Sequence, residues 1–415
     1  MAQVDEFGSS LLSSLGVKVG VRSKISTYTE VVCKNRATDI KDRPDGLIVV
    51  RTGSREWRTL VETKIGSNEL NAPQIEKYRQ LAKDNDINCV ISISNQFATS
   101  PSVHPLVEIN KSRSKISVFH WSWMFMLTEA DLLLSQNAVS DMDQKLLLNE
   151  LRRFLTHESA GLKGFDRMPK EWGELNKLVS SSGVIPAKST VAPVVVSAWH
   201  QETRDLVLIL TRMTETNVTE KLSRKQRPDG SLRLKDELVI LRERHQLLSE
   251  LEIPDAAAAL EIKADLNRCS VDVGMTLRAP EDKVSTKARV NWLLHQVKTE
   301  KLDELYLRLF WPGKAEPTQH LVSEIKENAD IVSELRDHLT PHSFHIYRSK
   351  RLGSRFTQQA NFILDLEALV PSFYREVGSS LSAWLRSAPK IKEDRSSAGD
   401  VSTEALSDDA KDYEG

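Results

Sequence analysis

The sequence predicts an α/β protein in two folded parts, and three observations lead there. Two strand-like runs joined by a turn are followed by an amphipathic helix and a short buried-strand run, the order expected of a sheet flanked by helices. A chain of 415 residues exceeds the roughly 250–300 that one hydrophobic core usually fills. The stretch Ser180–Ala192 is rich in Ser, Pro and Ala and separates two regions with their own apolar patterning. The expected organisation is an α/β domain over 1–128, a helical connector over 129–182, an α+β domain over 190–385 and a disordered acidic tail over 389–415.

The first part begins with helical spacing of Phe7, Leu11, Leu12 and Leu15, and a second short helical segment is expected through Tyr28–Val32. The runs Gly46–Arg51 and Trp57–Lys64 read as strands joined by Thr52-Gly53-Ser54-Arg55-Glu56, a hairpin signature. A helix follows from about Ala72 to Lys83, with Asn71 placed to cap it and Pro73 tolerated in its first turn. Asn88–Ser94 and Lys115–Trp121 are buried-strand candidates. In the connector, Leu146, Leu147, Leu151 and Phe154 are expected to form one apolar helix face. Beyond the boundary, Asp236–Leu251 reads as one helix, with Leu238, Leu241, Leu248 and Leu251 on one side. Ala258–Leu266, Cys269–Leu277, Glu304–Phe310 and Ser343–Arg348 read as strands, and Ser285–Val297 and Gln358–Leu385 as helices.

Composition excludes several classes. Hydrophobic residues at 40% and charged residues at 28% are ordinary for a globular protein. No run of 18 apolar residues exists, so no membrane span is expected, and the start Met-Ala-Gln-Val-Asp-Glu-Phe lacks the basic and apolar regions of a signal peptide. Cys33, Cys89 and Cys269 are too scattered for a disulfide framework or a zinc site. A cytoplasmic location is the expectation. There is no Gly-x-x-x-x-Gly-Lys-[Ser/Thr], so no nucleotide-driven motor is expected. Net charge is −1, but residues 1–120 hold 17 basic against 13 acidic side chains, a mild bias compatible with a polyanionic partner.

The segment that carries chemistry is Arg43-Pro44-Asp45-Gly46-Leu47-Ile48-Val49-Val50, followed by Glu62-Thr63-Lys64. Asp45 opens one strand of the hairpin and Glu62 lies near the end of the next, so pairing brings both carboxylates to one end of the sheet. Strand period two puts Glu62 and Lys64 on one face. Two hard oxygen ligands suit Mg²⁺, and an ammonium beside the ion suits charge developing on a phosphorus centre. This inventory fits phosphodiester hydrolysis.

These residues resemble the PD-(D/E)XK nuclease superfamily, with Pro44-Asp45 as the first half of its motif and Glu62-Thr63-Lys64 as the second. Gln74-Ile75-Glu76-Lys77-Tyr78 is similar to the Gln-x-x-x-Tyr motif of the RecB-like branch, and Gln74 and Tyr78 share a helix face. The resemblance spans about residues 28–121. It implies a restriction-endonuclease-like core, a mixed central sheet flanked by helices. It also implies that Asp45, Glu62 and the Thr63 main-chain carbonyl bind Mg²⁺, with Mn²⁺ able to substitute, that Lys64 assists the attacking water, and that Gln74 and Tyr78 position DNA. The family often carries a further acid on its first helix, for which Glu30 is the candidate. Thr27-x-x-Glu30 is equally a capping-box pattern. The departure is that no His precedes Asp45, where some RecB-like members bind metal; the first is His104.

An Asp followed by Glu-x-Lys is a weak pattern alone, and the chain holds a second copy, Arg227-Pro228-Asp229-Gly230 with Glu261-Ile262-Lys263, read as coincidence because a long helix separates its halves. His120-Trp121-Ser122-Trp123 reads as core at a strand end. Two basic clusters, Lys221/Arg224/Lys225/Arg227 and Arg348/Lys350/Arg351/Arg355 with Tyr347 and Phe356 beside the latter, read as solvated loops or phosphate contacts. The expected function is an Mg²⁺-dependent nuclease acting on DNA rather than RNA, in restriction, anti-phage defence or DNA repair by analogy. The alternative is an inactive nuclease fold that binds nucleic acid or serves as a scaffold. Residues 190–385 are expected to select a target or to bind a partner protein.

Overall fold

The structure, a computed structural model, describes residues 1–386 except 34–42, 67, 99–100, 228–229, 335 and 337. In chain order the first half contains α1 (Asp5–Ser13), β1 (Ser23–Thr29), β2 (Gly46–Thr52), β3 (Arg55–Thr63), α2 (Ala72–Asp84), β4 (Cys89–Ser94), α3 (Val107–Asn110) and β5 (Ser117–Ser122). The helices α4 (Trp123–Ser135), α5 (Met142–Thr156) and α6 (Glu171–Ser182) follow. The second half contains α7 (Val191–Thr214), β6 (Thr219–Glu220), α8 (Gly230–Arg244), β7 (Gln246–Glu252), β8 (Leu260–Asp265), β9 (Ser270–Arg278), α9 (Thr286–Leu294), β10 (Leu305–Phe310), β11 (Thr318–Leu321), α10 (Val322–Glu327), β12 (Ser343–Arg351) and α11 (Gln359–Glu376). The acidic tail expected over 389–415 lies outside the described residues.

Strands β1 to β5 form a mixed sheet in sequence order: β1, β2 and β3 are antiparallel, and β3, β4 and β5 are parallel. The β2–β3 hairpin closes with Gly53-Ser54, and Gly53 takes φ +60°, the left-handed geometry that matches the twist of paired strands. One face buries Ile48, Val50, Val61, Ile91 and Trp121 against Phe7 and Leu11 of α1 and Phe125 and Ala130 of α4. The other buries Leu60, Val90 and Val118 against Ile75, Tyr78 and Leu81 of α2. Strand β4 is covered on both sides, so all six of its residues are buried.

The second sheet has the order β11-β10-β12-β9-β8-β7-β6 and is antiparallel throughout. One face, with Val271, Val273, Met275, Leu305, Leu307 and Ile346, packs against α6, α7 and α11 through Trp172, Trp199, Phe362 and Phe373. Trp172 of α6 lies in this second core, whereas Leu148 of α5 lies in the first, so the expected connector is shared between the two cores. Helix α7 bridges them: Leu208 joins the first core and Leu206, Val207 and Leu210 the second. Residues Met1–Ala383 accordingly form one compact unit. Among the described residues no helix is long and apolar enough to cross a membrane.

Four local expectations are corrected. Ser23–Thr29 is a strand, not the start of a helix through Tyr28–Val32; Ile25, Thr27 and Thr29 alternate at period two along an antiparallel partner. The helix expected over Asp236–Leu251 stops at Arg244, where His245 turns at φ +55°, and residues 246–252 run as β7. Leucines at 238, 241, 248 and 251 satisfy a helical period, but Leu247 and Leu251 also satisfy period two, and pairing with β8 decides. In α5 the buried residues are Leu148 and Leu155; of the expected face only Leu151 packs against the core, while Leu146, Leu147 and Phe154 are exposed. Helix α11 ends at Glu376 rather than near Leu385.

Candidate functional site

Strand β3 is the pivot of the first sheet, antiparallel to β2 and parallel to β4. The register pairs Gly46 with Val61, which sets Asp45, one residue before β2, against Glu62 and Thr63 at the end of β3. The contact is direct: the Asp45 Oδ2 accepts from the Thr63 amide at 2.6 Å and from the Thr63 hydroxyl at 2.8 Å. Glu62 pairs across to Ser92 of β4, and the Lys64 amide donates to the Ile93 carbonyl at 2.8 Å, extending β3 by one residue.

Glu62 is only 2% exposed. Its Oε1 receives the Lys64 ammonium, and the Tyr78 hydroxyl also neighbours the buried carboxylate. Burial pushes the Glu62 carboxyl above the usual carboxylate range, opposed by its hydrogen bond to Lys64 and reinforced by the charge of Asp45. Tyr78 lies beside it, and burial, then the Glu62 charge, raises its phenol. That phenol donates to the Arg43 carbonyl at 3.1 Å and accepts from the Gln74 amide at 3.0 Å.

A second layer supports this strand end. The Trp123 indole donates to the Lys64 carbonyl at 2.8 Å, and the Asn95 amide bridges the carbonyls of Gly66 and Gly161 at 3.0 and 2.7 Å. Next to Glu62, the Ser92 hydroxyl lies 2.9 Å from both His104 Nε2 and His120 Nδ1. His120 Nε2 is 2.7 Å from the Gln96 carbonyl, which only a ring N–H satisfies, so Nδ1 accepts from Ser92. The Leu106 amide donates to His104 Nδ1, which leaves His104 Nε2 to donate to Ser92. The chain of bonds is complete with both rings neutral, and burial accordingly pushes His104 down to about 3 and His120 to about 4.

Asp45, Glu62, Thr63 and Lys64 are therefore together, as the strand pairing requires. Glu30 is tied to the site by its main chain: its amide donates to the Asp45 carbonyl at 3.1 Å, and it turns out of β1 at φ +52°. No helix begins at Thr27, so the capping-box reading falls. Gln74 and Tyr78 do share a helix face, but Tyr78 is buried and braces the segment leading to Asp45. In the second motif copy Asp229 lies outside the described residues, and Lys263 is paired with Asp272 at 2.5 Å. The basic clusters are largely spent on protein partners: Arg348 is buried on Glu376 and the Lys301 carbonyl, Lys350 and Arg355 both face Asp365, and Lys221 faces Glu250. Phe356 is core. Sequence reading missed Trp123, Asn95 and the Ser92–His104–His120 chain as supports, because no spacing in the sequence joins residues that meet only across parallel strands.

Among the described residues no three His, Cys, Asp or Glu side chains are grouped as a metal-holding set. The arrangement offers two carboxylates, a neighbouring main-chain carbonyl and an ammonium, all at one sheet end. A carboxylate this deeply buried favours a neighbouring cation or a proton. Comparison of the chain with protein-family models, with curated proteins and with solved structures finds no match.

Proposed function

We propose that this chain is an Mg²⁺-dependent nuclease, with the first sheet as a restriction-endonuclease-like core of the PD-(D/E)XK type and DNA as its substrate. The observation that carries the reading is the Glu62 carboxylate, almost fully buried, held beside the Lys64 ammonium and next to Asp45 on the neighbouring strand. The motif resemblance alone is weak; its support here is that both halves reach one sheet end.

Asp45, Glu62 and the Thr63 carbonyl would hold Mg²⁺, an ion commonly bound through one or two carboxylates. When bound, the ion supplies Lewis-acid polarisation of the phosphodiester and lowers the pKa of a water molecule. The chain's own residues do the rest. Thr63 grips one oxygen of Asp45 through two donors, which fixes the orientation of that carboxylate. Lys64, half-buried at the mouth of the site, offsets charge developing on the phosphate. Tyr78, itself held by the Gln74 amide, donates to the Arg43 carbonyl and so fixes the approach of the chain to Asp45.

The test is cleavage by the full chain of supercoiled plasmid, linear duplex, single-stranded DNA and RNA in Mg²⁺, Mn²⁺ or EDTA. Cutting of DNA with either ion, abolished by EDTA and by Asp45→Asn, is the expected result. Failure to cut any of the four substrates with either ion would overturn the reading and leave an inactive fold.

A further inference from the structure

The second sheet has one face in the core and one outside it. The outer face carries the alternate residues Gln246, Leu248 and Glu250 of β7, Glu261 and Lys263 of β8, Thr276 of β9, His345 of β12, and Arg308 and Phe310 of β10, each half-buried or exposed. Across it runs a 370 Å³ cleft that includes Arg244, Glu261, Arg308, Phe310 and His345 in its lining. That volume is within the range of ligand sites.

A stack of planar groups adjoins the cleft through His345 and Arg308. His345 stacks on Tyr347 with ring centres 4.6 Å apart and 10° between planes, and Tyr347 stacks on Tyr306 at 5.5 Å. The Arg308 guanidinium lies 5.2 Å over the Tyr347 ring. Room for this stack comes from Gly274 on β9: a Cβ there would collide with the Tyr347 Cβ and lie 2.6 Å from His345 Nε2. Tyr347 is enclosed by its neighbours, which leaves His345 and Phe310 as the rings that line the open space.

The charges sort as well. Asp272 is neutralised by Lys263 and bonded to Ser349, and Glu250 is neutralised by Lys221. Arg308 bonds only to the neutral Gln319 and Tyr347, and Arg244 is exposed, so among the described residues both keep their charge without a carboxylate partner. Glu261 is bonded to Thr276 and lies 3.6 Å from His345 Nε2, which leaves it at the cleft as an acceptor beside that ring. From Phe310 to β7 the cleft crosses four strand spacings, roughly 19 Å at about 4.8 Å each.

We propose that this cleft binds a short single-stranded nucleic-acid segment, its bases laid against His345 and Phe310, base N–H groups toward Glu261 and phosphates toward Arg308 and Arg244. Unpaired bases stack on aromatic faces and phosphates seek arginine, and an antiparallel sheet face offers both at once. The inference stands on the second sheet and is independent of cleavage at the first.

The test is fluorescence anisotropy of the full chain in EDTA, where no metal-dependent cutting occurs, with labelled twelve-nucleotide dT and rU strands and unlabelled AMP as competitor. Phe310→Ala and His345→Ala should each weaken binding about tenfold, His345→Phe should restore it, and Arg308→Gln should flatten its salt dependence. Circular dichroism confirms that each variant is folded, and Phe310, at the edge of the cleft, can be replaced without disturbing the Tyr347 stack. Competition by AMP at equal affinity would assign the same chemistry to a free nucleotide. No binding of either strand or of AMP up to about 100 µM, or binding that Phe310→Ala and Arg308→Gln leave unchanged, overturns the proposal.

Discussion

Replacing Glu62 by Gln should move activity and stability in opposite directions. Glu62 is 2% exposed, so its ionised side chain is buried at a cost that the Lys64 ammonium and the neighbouring Tyr78 hydroxyl offset only in part. The amide keeps the shape and an oxygen for Lys64 but carries no charge. A buried polar group left without full compensation costs about 1–3 kcal/mol, so the metal-free protein should gain on the order of 1 kcal/mol at pH 8, after allowance for the amide's own unmet N–H. The sign follows from linkage. Burial raises the folded pKa of Glu62, so its contribution is fully present below the unfolded value of about 4.3 and is lost as pH rises through the folded value. The advantage of Gln should therefore vanish near pH 4 and grow toward neutrality. Cleavage should fall about 10²-fold or more, since losing about 3 kcal/mol of Lewis-acid stabilisation is a factor of that size. Urea denaturation in EDTA at several pH values, calorimetric Mg²⁺ titration and plasmid cleavage measure the three effects. A variant that binds Mg²⁺ like the wild type, or that loses stability equally at every pH, would show that Glu62 is a structural ion-pair partner and no ligand.

Three further outcomes are expected. Lys64→Ala should leave Mg²⁺ affinity near wild type while cleavage drops about 10²-fold; calorimetry alongside turnover separates these, and full activity would remove Lys64 from the chemistry. Tyr78→Phe deletes the donor to the Arg43 carbonyl and should cost about 0.5–1.5 kcal/mol of stability and weaken Mg²⁺ binding, because Asp45 follows that segment; a change in DNA affinity with metal binding intact would instead make Tyr78 a substrate contact. On α7 and α11, burial raises Asp205 to about 6 and Glu367 to about 7, and lifts Glu202 with them; the Phe165 amide opposes the rise at Asp205, Arg212 is the opposing cation among the described residues, and Asp166 adds to the raised Glu367. Raised folded values mean stability that is present in acid and lost as pH rises through about 6 to 7. The buried neutral His104 and His120 act in the opposite sense, costing stability in acid, so the variant carries the test: Glu202→Gln should raise the melting temperature more at pH 8 than at pH 5, and an equal change at both would refute it.

The sequence by itself determined the elements whose local signals agree with their surroundings. The hairpin around Gly53, the helix opened by Pro73 and the short buried strand β4 were legible because turn chemistry, period and flanking residues point the same way, although Asn71 makes no side-chain cap bond. So was the meeting of Asp45 with Glu62, since one antiparallel register puts residue 46 opposite residue 61 and strand period fixes the rest. Where two periods fit one set of leucines, only tertiary pairing decided: 246–252 became a strand because β8 was there to bond it, and α5 turned Leu148 and Leu155 inward because its neighbours offered a surface on that side. The second sheet's outer face was invisible for a related reason. His345, Tyr347, Tyr306, Arg308 and Gly274 are scattered over more than seventy positions, and their grouping exists only across three paired strands. Local sequence sets what each segment can form; long-range pairing, which no short window contains, sets which faces are buried and which residues from distant strands share one surface.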